Sequence, residues 1–396
     1  MTGRKTEENE EYILTGATGF LGSHIMAGLL LKGKGVVIMG RSSGGNLLKD
    51  RIRRLLRWFG IEHLEEFLEF HETDFQKAMI GLGEEEFDKL CKKRLPIIHC
   101  ASDTSFNEKS RDKVFRSNVE NLSEILYFAV KSRTKFFHFI SSAYASGTDT
   151  VECYETPVIS EHFNNVYEES KALAEKKVSQ ICSKEKLPYT IIRPSIVYGD
   201  SVTGRSLRFN ALYYPVRSLQ LIRDIYLADI KSNKGKKSSE CGIHIDKNGI
   251  LYLPVRIFIP NEGKINLIPI NFFSVALFSI IEKPSNGTYY HLTSNDPQTM
   301  ANLVTYTESF LNITGIEVVI GSPSADEMRN PAEELFDYFI REYKPYISDK
   351  RIFISENMNR ASPGIISPVL SYAIFERCMS FAVSAEWGRN LFNNLS

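Results

Sequence analysis

Thr15-Gly16-Ala17-Thr18-Gly19-Phe20-Leu21-Gly22 lies between a short apolar run, Tyr12–Thr15, and a helical stretch, Phe20–Lys32. A glycine triplet in this strand–turn–helix setting has a physical meaning. Gly16 permits a sharp turn, Gly19 lets backbone N–H groups approach a pyrophosphate, and Gly22 lets helix and strand pack closely. The helix N-terminus adds oriented donors and a positive dipole end. Thr15, Gly16, Thr18, Gly19, Phe20, Leu21 and Gly22 are therefore the expected cradle of a dinucleotide.

The same rhythm continues outward from the loop. Strand-like runs at Gly35–Met39, Phe67–Asp74, Leu95–Ala101, Phe136–Tyr144 and Tyr189–Ser195 alternate with helical stretches near Leu47–Phe59, Lys109–Val130 and Tyr167–Cys182. Repeated βαβ units imply a parallel sheet covered on both faces, so the expected fold is α/β, a Rossmann-type doubly wound parallel sheet. After Gly199 the rhythm breaks. A Gly, Ser and Arg stretch leads to a Tyr/Leu-rich helical segment, Leu207–Ile230, and then to the Lys-rich loop Lys231–Lys237. Leu267–Phe273 and Thr288–Thr293 read as strands, and a mostly helical tail follows from Thr299. This pattern predicts a dinucleotide-binding domain of residues 1–204 and 266–298. Residues 205–265 and 299–396 form a smaller, discontinuous, mostly helical substrate region.

Composition narrows the partners. The 396 residues carry 48 Lys+Arg and 48 Asp+Glu, a net charge of zero, which argues against nucleic acid as a partner. At 43% hydrophobic and 24% charged, the chain is an ordinary soluble globular one. Its six cysteines form no C-x-x-C pair, so neither a metal site nor a disulfide framework is expected. Met1–Glu11 is polar, and Ile365–Trp387 is interrupted by Pro368, Glu376 and Arg377; no secretory signal or transmembrane span is expected, and the location read from this is cytoplasmic.

The second strand ends Ile38-Met39-Gly40-Arg41-Ser42-Ser43, with Arg41 where a ribose-binding carboxylate would stand. A guanidinium clamps a 2′-phosphate, so NADPH is expected over NADH, with Arg51 and Arg54 either assisting or forming a solvated helix face. Asp74 accepts from the adenine amino group or caps the next helix. In His99-Cys100-Ala101-Ser102, the small Ala101 and Ser102 let a dinucleotide pass, and His99 reads as structural.

Tyr167 and Lys171 are four residues apart, on one face of a helix. An ammonium beside a phenol favours the phenolate and lowers the tyrosine pKa from about 10. The pair follows a strand that ends in Ser141-Ser142, at the carboxyl edge where open α/β sheets bind ligands.

Together these residues resemble the extended short-chain dehydrogenase/reductase superfamily, on the Thr15–Gly22 loop, Asp74, Ser142, Tyr167-x-x-x-Lys171 and Arg193-Pro194-Ser195. The resemblance covers roughly the first half of the chain plus Leu267–Thr293. It implies that Tyr167 is the general acid, that Lys171 holds the nicotinamide ribose and tunes Tyr167, and that Ser142, with Ser141 as runner-up, hydrogen-bonds the substrate carbonyl. It also implies that Asn118 supports a proton relay and that Pro194 and Ile196 bind the cofactor. Within the superfamily the chain looks most like the thioester reductase and fatty acyl-CoA reductase branch. The carrying stretches are His99–Ser102, Phe139–Tyr144, Ile192–Val197, Gly199-Asp200-Ser201-Val202-Thr203-Gly204 and Asn266–Asn271. Two departures stand out: Ser141-Ser142 where the branch often has Ser-Thr, and Asn271 where it has Asp.

That branch implies NADPH-dependent reduction of an acyl thioester to an aldehyde, with a second reduction to the alcohol left open. The thioester is carried by coenzyme A or by the phosphopantetheine arm of an acyl carrier protein. The alternative is another extended-family enzyme, such as a nucleotide-sugar epimerase or dehydratase, or a ketone reductase. Tyr213, Tyr214, Leu219 and Tyr226 line an acyl or pantetheine channel, or are plain core. Arg205, Arg208 and Lys231–Lys237 meet phosphates, or are solvated surface. The oligomeric state stays open, a homodimer among the options.

Overall fold

Seven strands carry the fold: β1 (Glu11–Thr15), β2 (Gly35–Gly40), β3 (Leu68–Glu72), β4 (Ile97–His99), β5 (Phe137–Ile140), β6 (Tyr189–Pro194) and β7 (Thr288–Leu292). In the computed structural model, which describes residues 10–324 and 328–392, all are parallel and lie in the order β7-β6-β5-β4-β1-β2-β3. The chain starts in the middle and winds outward both ways, so the strand order reverses between β1 and β4. That reversal opens a crevice at the carboxyl ends of the strands. This is the Rossmann-type doubly wound sheet.

Strand alternation divides the core in two. Tyr12, Leu14, Val36 and Ile38 face one apolar layer, while Ile13, Val37 and Met39 face the other. The first layer is closed by α1 (Phe20–Leu31) and α2 (Leu48–Phe59), and the second by α3 (Leu122–Lys131) and α4 (Val166–Lys184). α5 (Tyr213–Ser232) packs into a third apolar core, and α6 (Ile270–Glu282) packs on α1 so closely that a Cβ on Gly28 would lie 2.3 Å from the Phe278 ring.

Several elements differ from the sequence expectation. Leu267–Phe273 is a strand only over Leu267–Pro269, paired with Ile196–Tyr198, and α6 begins at the next residue. An apolar run buried on all sides has no period that separates strand from helix. The helix expected over Lys109–Val130 breaks into Arg111–Phe115, a wide π-type turn over Arg116–Glu120, and α3. Outside the main sheet lies a three-stranded one, with Leu251–Ile259 between Ile313–Ile320 and His244–Ile245. Leu251, Leu253, Val255, Ile257 and Ile259 all point into a core shared with Val216, Leu219, Phe336 and Phe375. Finally, Ile352–Phe353 pairs with Glu152–Cys153, bringing the C-terminal part of the chain over the carboxyl edge of the main sheet.

Candidate functional site

The glycine turn is built on backbone contact. Gly16 has φ +74°, and a Cβ there would lie 2.6 Å from the Ala101 nitrogen; one on Gly22 would lie 2.1 Å from the Gly16 oxygen. α1 follows Gly19 with no side-chain cap and no acidic residue in its first turn, so no side chain competes with an anion at its N-terminus. The turn before it opens into a cleft of about 520 Å³ lined by Gly16, Thr18, Gly19, Arg41, Arg51, Asp74, Ala101 and Ser102. Arg51 donates to the Thr18 hydroxyl (2.8 Å) and to the Arg41 carbonyl (3.0 Å). Glu72, at the end of β3, is already engaged by the Ser42 and Leu48 N–H groups at 2.8 and 3.2 Å. Asp74 lines the cleft and accepts from the Gln76 N–H at 3.1 Å.

Four members of the expected cradle do not line it. Thr15 is buried beneath the turn, where its hydroxyl bonds the His99 ring (2.9 Å) and accepts from the Cys100 and Ala101 N–H groups (3.2 Å each). Gly22 serves as the packing contact just described. Phe20 and Leu21 face instead a second pocket, of about 430 Å³, which meets the cleft at Cys100, Ser102 and Thr104.

That second pocket brings Ser141, Ser142, Tyr167, Lys171, Pro194 and Ile196 together. Ser142 caps the turn after β5, accepting from the Tyr144 N–H at 3.3 Å, and its hydroxyl lies against the Tyr167 phenol. The Ser141 and Ser195 hydroxyls are buried without a partner among the described residues. Lys171 is buried, donates to the Ile140 carbonyl (2.7 Å) and sits 4.8 Å from the centre of the Phe139 ring. Burial lowers its pKa to about 8, against the pull of Cys100 and Glu175.

The expected effect of Lys171 on Tyr167 is overturned. Burial pushes the phenol pKa up, well above its ordinary value, and Ser142 is the group that draws it down. Tyr167 therefore keeps its proton. Burial also raises the Cys100 thiol to about 11 and lowers His99 to about 3, so the first stays protonated and the second neutral.

Asn118 projects from the π-type turn and makes only struts: it accepts from Ser102 (3.1 Å) and the Asp103 N–H (2.7 Å), and donates to the Asp103 carbonyl and to Ser170 (2.9 Å each). It joins the end of β4 to α4 and makes no bond to Lys171. Asn271 accepts from the Ser201 N–H (3.1 Å) and donates to its hydroxyl (3.0 Å). A neutral amide thus pins the Gly199–Gly204 turn where the branch has Asp.

The candidate phosphate contacts separate. Arg205 donates to the Trp58 carbonyl and stacks on that ring at 4.2 Å, which fixes it structurally. Lys231 lies about 27 Å along α5 from Tyr213, by the helical rise. Arg208 alone of these lines the pocket. Of the α5 residues, Tyr213 bonds the Gly199 N–H (2.9 Å) and Tyr226 contacts the Cys241 sulfur (3.5 Å), as core residues do.

The roof of the pocket has no counterpart in the sequence reading. Tyr343 and Tyr346 line it, and Phe106 joins them, with its ring centre 5.9 Å from that of Tyr167 and 5.5 Å from that of Tyr346. These residues lie far from the motifs in sequence. Only the Tyr343-x-x-Tyr346 spacing, one helical turn apart, hinted at a shared face.

Residues 14–237, more than half of the chain, match the NAD-binding family described as male sterility protein. The chain belongs to this family. It is 25% identical over 301 residues to the nonribosomal peptide synthetase asaC of Aspergillus flavus, covering 72% of this chain and 26% of the synthetase. It is 28% identical over 226 residues to the human fatty acyl-CoA reductase 1, covering 48% of this chain and 44% of that protein. The chain thus spans less than half the length of either relative. Among solved structures, the terminal R domain of the myxalamid PKS-NRPS pathway superposes with a TM-score of 0.73 at 21% identity, over 96% of this chain and 92% of that one. A UDP-glucose 4-epimerase from Thermotoga maritima gives a TM-score of 0.61 at 15% identity, over 95% and 99%. These superpositions establish the fold. Among the described residues of this male sterility family member, no helix is long and apolar enough to cross a membrane.

Proposed function

We propose that the chain is an NADPH-dependent reductase of acyl thioesters. The observation that carries this reading is the convergence of Ser142, Tyr167 and Lys171 on one pocket that opens into the glycine-lined cleft. Curated relatives that include an acyl-CoA reductase and a nonribosomal peptide synthetase support a thioester on coenzyme A or on a pantetheine arm. In this reading residues 1–204 and 266–298 carry the cofactor, and residues 205–265 and 299–396 shape the acyl site.

The residues present fit a phosphorylated dinucleotide. A Cβ would fill the turn at Gly16, and Arg41 and Arg51 face the cleft where Glu72 is already engaged. The turn and the α1 N-terminus would hold the pyrophosphate, Arg41 and Arg51 the 2′-phosphate, Lys171 and Tyr167 the nicotinamide ribose, with Pro194 and Ile196 beside the ring. When bound, NADPH supplies a hydride.

The protein's part is to receive the charge that develops on the substrate oxygen. Ser142 and Tyr167 offer two hydroxyl donors to the thioester carbonyl, an oxyanion hole in a pocket partly closed to water. Tyr167, kept protonated by burial, gives its proton to that oxygen, and the Ser142 hydroxyl beside it favours the phenolate left behind. The hemithioacetal then releases thiol and aldehyde. Burial raises the Cys100 thiol pKa, which disfavours a thiolate nucleophile, and direct reduction of the carbonyl needs none. Asn118 acts in this scheme as a positioning residue that fixes the end of β4 against α4.

The test is NADPH oxidation against acyl-CoAs, ketones and nucleotide sugars, with Tyr167→Phe as control. Thioester-dependent oxidation that disappears in the variant is the expected result. Turnover confined to ketones, or interconversion of nucleotide sugars, overturns the reading.

A further inference from the structure

We propose that Arg208 is a phosphate subsite at the outer mouth of the catalytic pocket, and that it holds the phosphate ester of the pantetheine arm on which the acyl group arrives. This inference rests on the thioester reading above and names a second part of the substrate that the protein recognises.

Position points to the substrate. Most of the pocket lining is buried or half-buried, and Thr104, Arg208 and Asn210 are its exposed members. Thr104 lies where the pocket meets the cofactor cleft, so Arg208 and Asn210 mark the opening on the other side. No Asp or Glu lines the pocket, and Lys171, its other charge, is buried.

The backbone presents Arg208 from a fixed point. The buried Ser206 hydroxyl donates to the Arg208 carbonyl (2.7 Å) and accepts from its N–H (3.3 Å). Phe209 is buried against the Tyr213 ring, edge-on at 5.3 Å, and against the Phe381 ring at 6.2 Å. Between these anchors the guanidinium has no hydrogen bond, ion pair or ring contact among the described residues. Arg205, three residues earlier, is by contrast occupied by Trp58. A planar fork of donors on an anchored backbone suits bidentate contact with a phosphate.

The chemistry of the substrate then selects the ligand. A thioester group is neutral, and the anion that coenzyme A and a protein-bound arm have in common is the phosphate ester at the far end of the pantetheine. Arg208 is near enough to Arg51 to oppose its charge, so the two form one positive rim. Arg208 nevertheless lines the pocket and not the cleft, where the glycine turn, Arg41 and Arg51 meet the cofactor's phosphates in the reading above. It therefore selects the carrier and leaves the acyl group to the rest of the pocket.

The experiment presents one acyl group, the one reduced best as its coenzyme A thioester, on coenzyme A, on phosphopantetheine and on pantetheine. NADPH affinity is measured first and is expected to change by no more than a few-fold in Arg208→Gln. The ratio of kcat/KM for the phosphopantetheine thioester to that for the pantetheine thioester is expected to fall roughly tenfold or more in Arg208→Gln, mainly through KM. Arg208→Lys, which keeps the charge without the fork, loses less. A similar fall for the coenzyme A thioester supports the shared phosphate as the contact. A fall confined to coenzyme A moves the contact to the nucleotide and overturns the proposal. So does a wild-type ratio near one, a ratio unmoved in Arg208→Gln, or a comparable loss of NADPH affinity in that variant. Calorimetric titration of coenzyme A into the NADP⁺ complex reads the subsite without turnover, and equal binding by wild type and Arg208→Gln overturns it as well. Failure of the thioester reading shows differently: wild type reduces no thioester, yet coenzyme A binds more weakly to Arg208→Gln.

Discussion

Arg351 places its guanidinium 3.2 Å from the carboxylate of Glu168, the residue next to Tyr167 and 183 positions away along the chain. The same guanidinium pairs with Asp349 (2.6 Å), donates to the carbonyls of Tyr144 and Gly147, and stacks on the Tyr144 ring at 4.7 Å. All three charged side chains are buried. The cluster fastens the C-terminal part of the chain to the first turn of α4 and to the turn that follows Ser142. Removing one member of such a cluster leaves uncompensated charge in the interior. Arg351→Met is expected to lower the unfolding free energy by about 3–5 kcal/mol, read from urea midpoints at constant m. Arg351→Lys recovers only part of the loss, because an ammonium lacks the planar fork. A loss under about 1 kcal/mol would show that water reaches the cluster.

Tyr167→Phe keeps the ring and its contact with Phe106 but removes the proton that the mechanism delivers. The expected outcome is a fall in kcat of roughly 10²–10⁴. Ser142→Ala, which removes one of two donors to the same oxygen, is expected to lower kcat by roughly 10²–10³. Single-turnover oxidation of bound NADPH separates these effects from slow product release, and NADPH affinity changes by no more than a few-fold in either variant. A Tyr167→Phe enzyme with wild-type turnover would remove the phenol from the reaction.

What the sequence made legible was local. The glycine turn, the alternation of Ile13 and Leu14 between two apolar layers, and the shared helical face of Tyr167 and Lys171 all follow from spacing over a few residues. What stayed hidden depends on contacts distant in sequence. Phe106, Tyr343 and Tyr346 reach the pocket, and Arg351 braces the turn behind it, through tertiary packing, and none carries a motif of its own. The strand Leu251–Ile259 alternates clearly, but Pro254 in its middle argues against a paired strand. The structure resolves this with a register shift between Tyr252 and Val255, where the missing N–H is tolerated. The Tyr167 pKa departs from the spacing-based expectation for a related reason: spacing reveals the neighbouring lysine and not the depth of burial.

Gly22→Ala tests the turn without removing any polar group. The new Cβ would lie 2.1 Å from the Gly16 oxygen, so α1 must shift away from the turn that its N-terminus completes. Forced insertion of this kind costs about 1–3 kcal/mol. The expected result is a lower Tm together with at least a tenfold weaker NADPH affinity by fluorescence titration. Gly33→Ala is the contrast. Its φ of +71° strains the alanine as well, but its Cβ meets nothing within 4 Å, so stability falls while NADPH affinity holds.

Lys171 sets a limit on pH. In the folded chain it loses its proton near 8, against 10.5 for an unburied lysine, because burial disfavours the ammonium. Activity that needs the ammonium is therefore expected to fall as pH rises through about 8, and kcat against pH should show that limb. The stability effect has the opposite sign. Between pH 8 and 10.5 the unfolded chain holds a proton that the folded chain has released, so this group's contribution to stability rises with pH across that window. Lys171→Met should flatten the stability trend there and abolish the activity. A basic limb that persists unchanged in a residually active Lys171→Arg enzyme would assign it to another group.

Arg41 and Arg51 decide the last prediction, the choice of nicotinamide cofactor. Both face the cleft at the end of β2, and Arg51 is held in place by Thr18 and by the Arg41 carbonyl. A charge-assisted bond to a 2′-phosphate contributes about 1.5–3 kcal/mol, which corresponds to roughly ten- to a hundredfold in affinity. Arg41→Ala and Arg51→Ala are each expected to reduce the preference for NADPH over NADH by that factor, by raising the NADPH KM while leaving the NADH KM nearly constant. Added salt should narrow the same preference in the wild type, since partly exposed charges are screened. If both variants keep the wild-type ratio, the two arginines do not contact the phosphate and do not set the choice of cofactor.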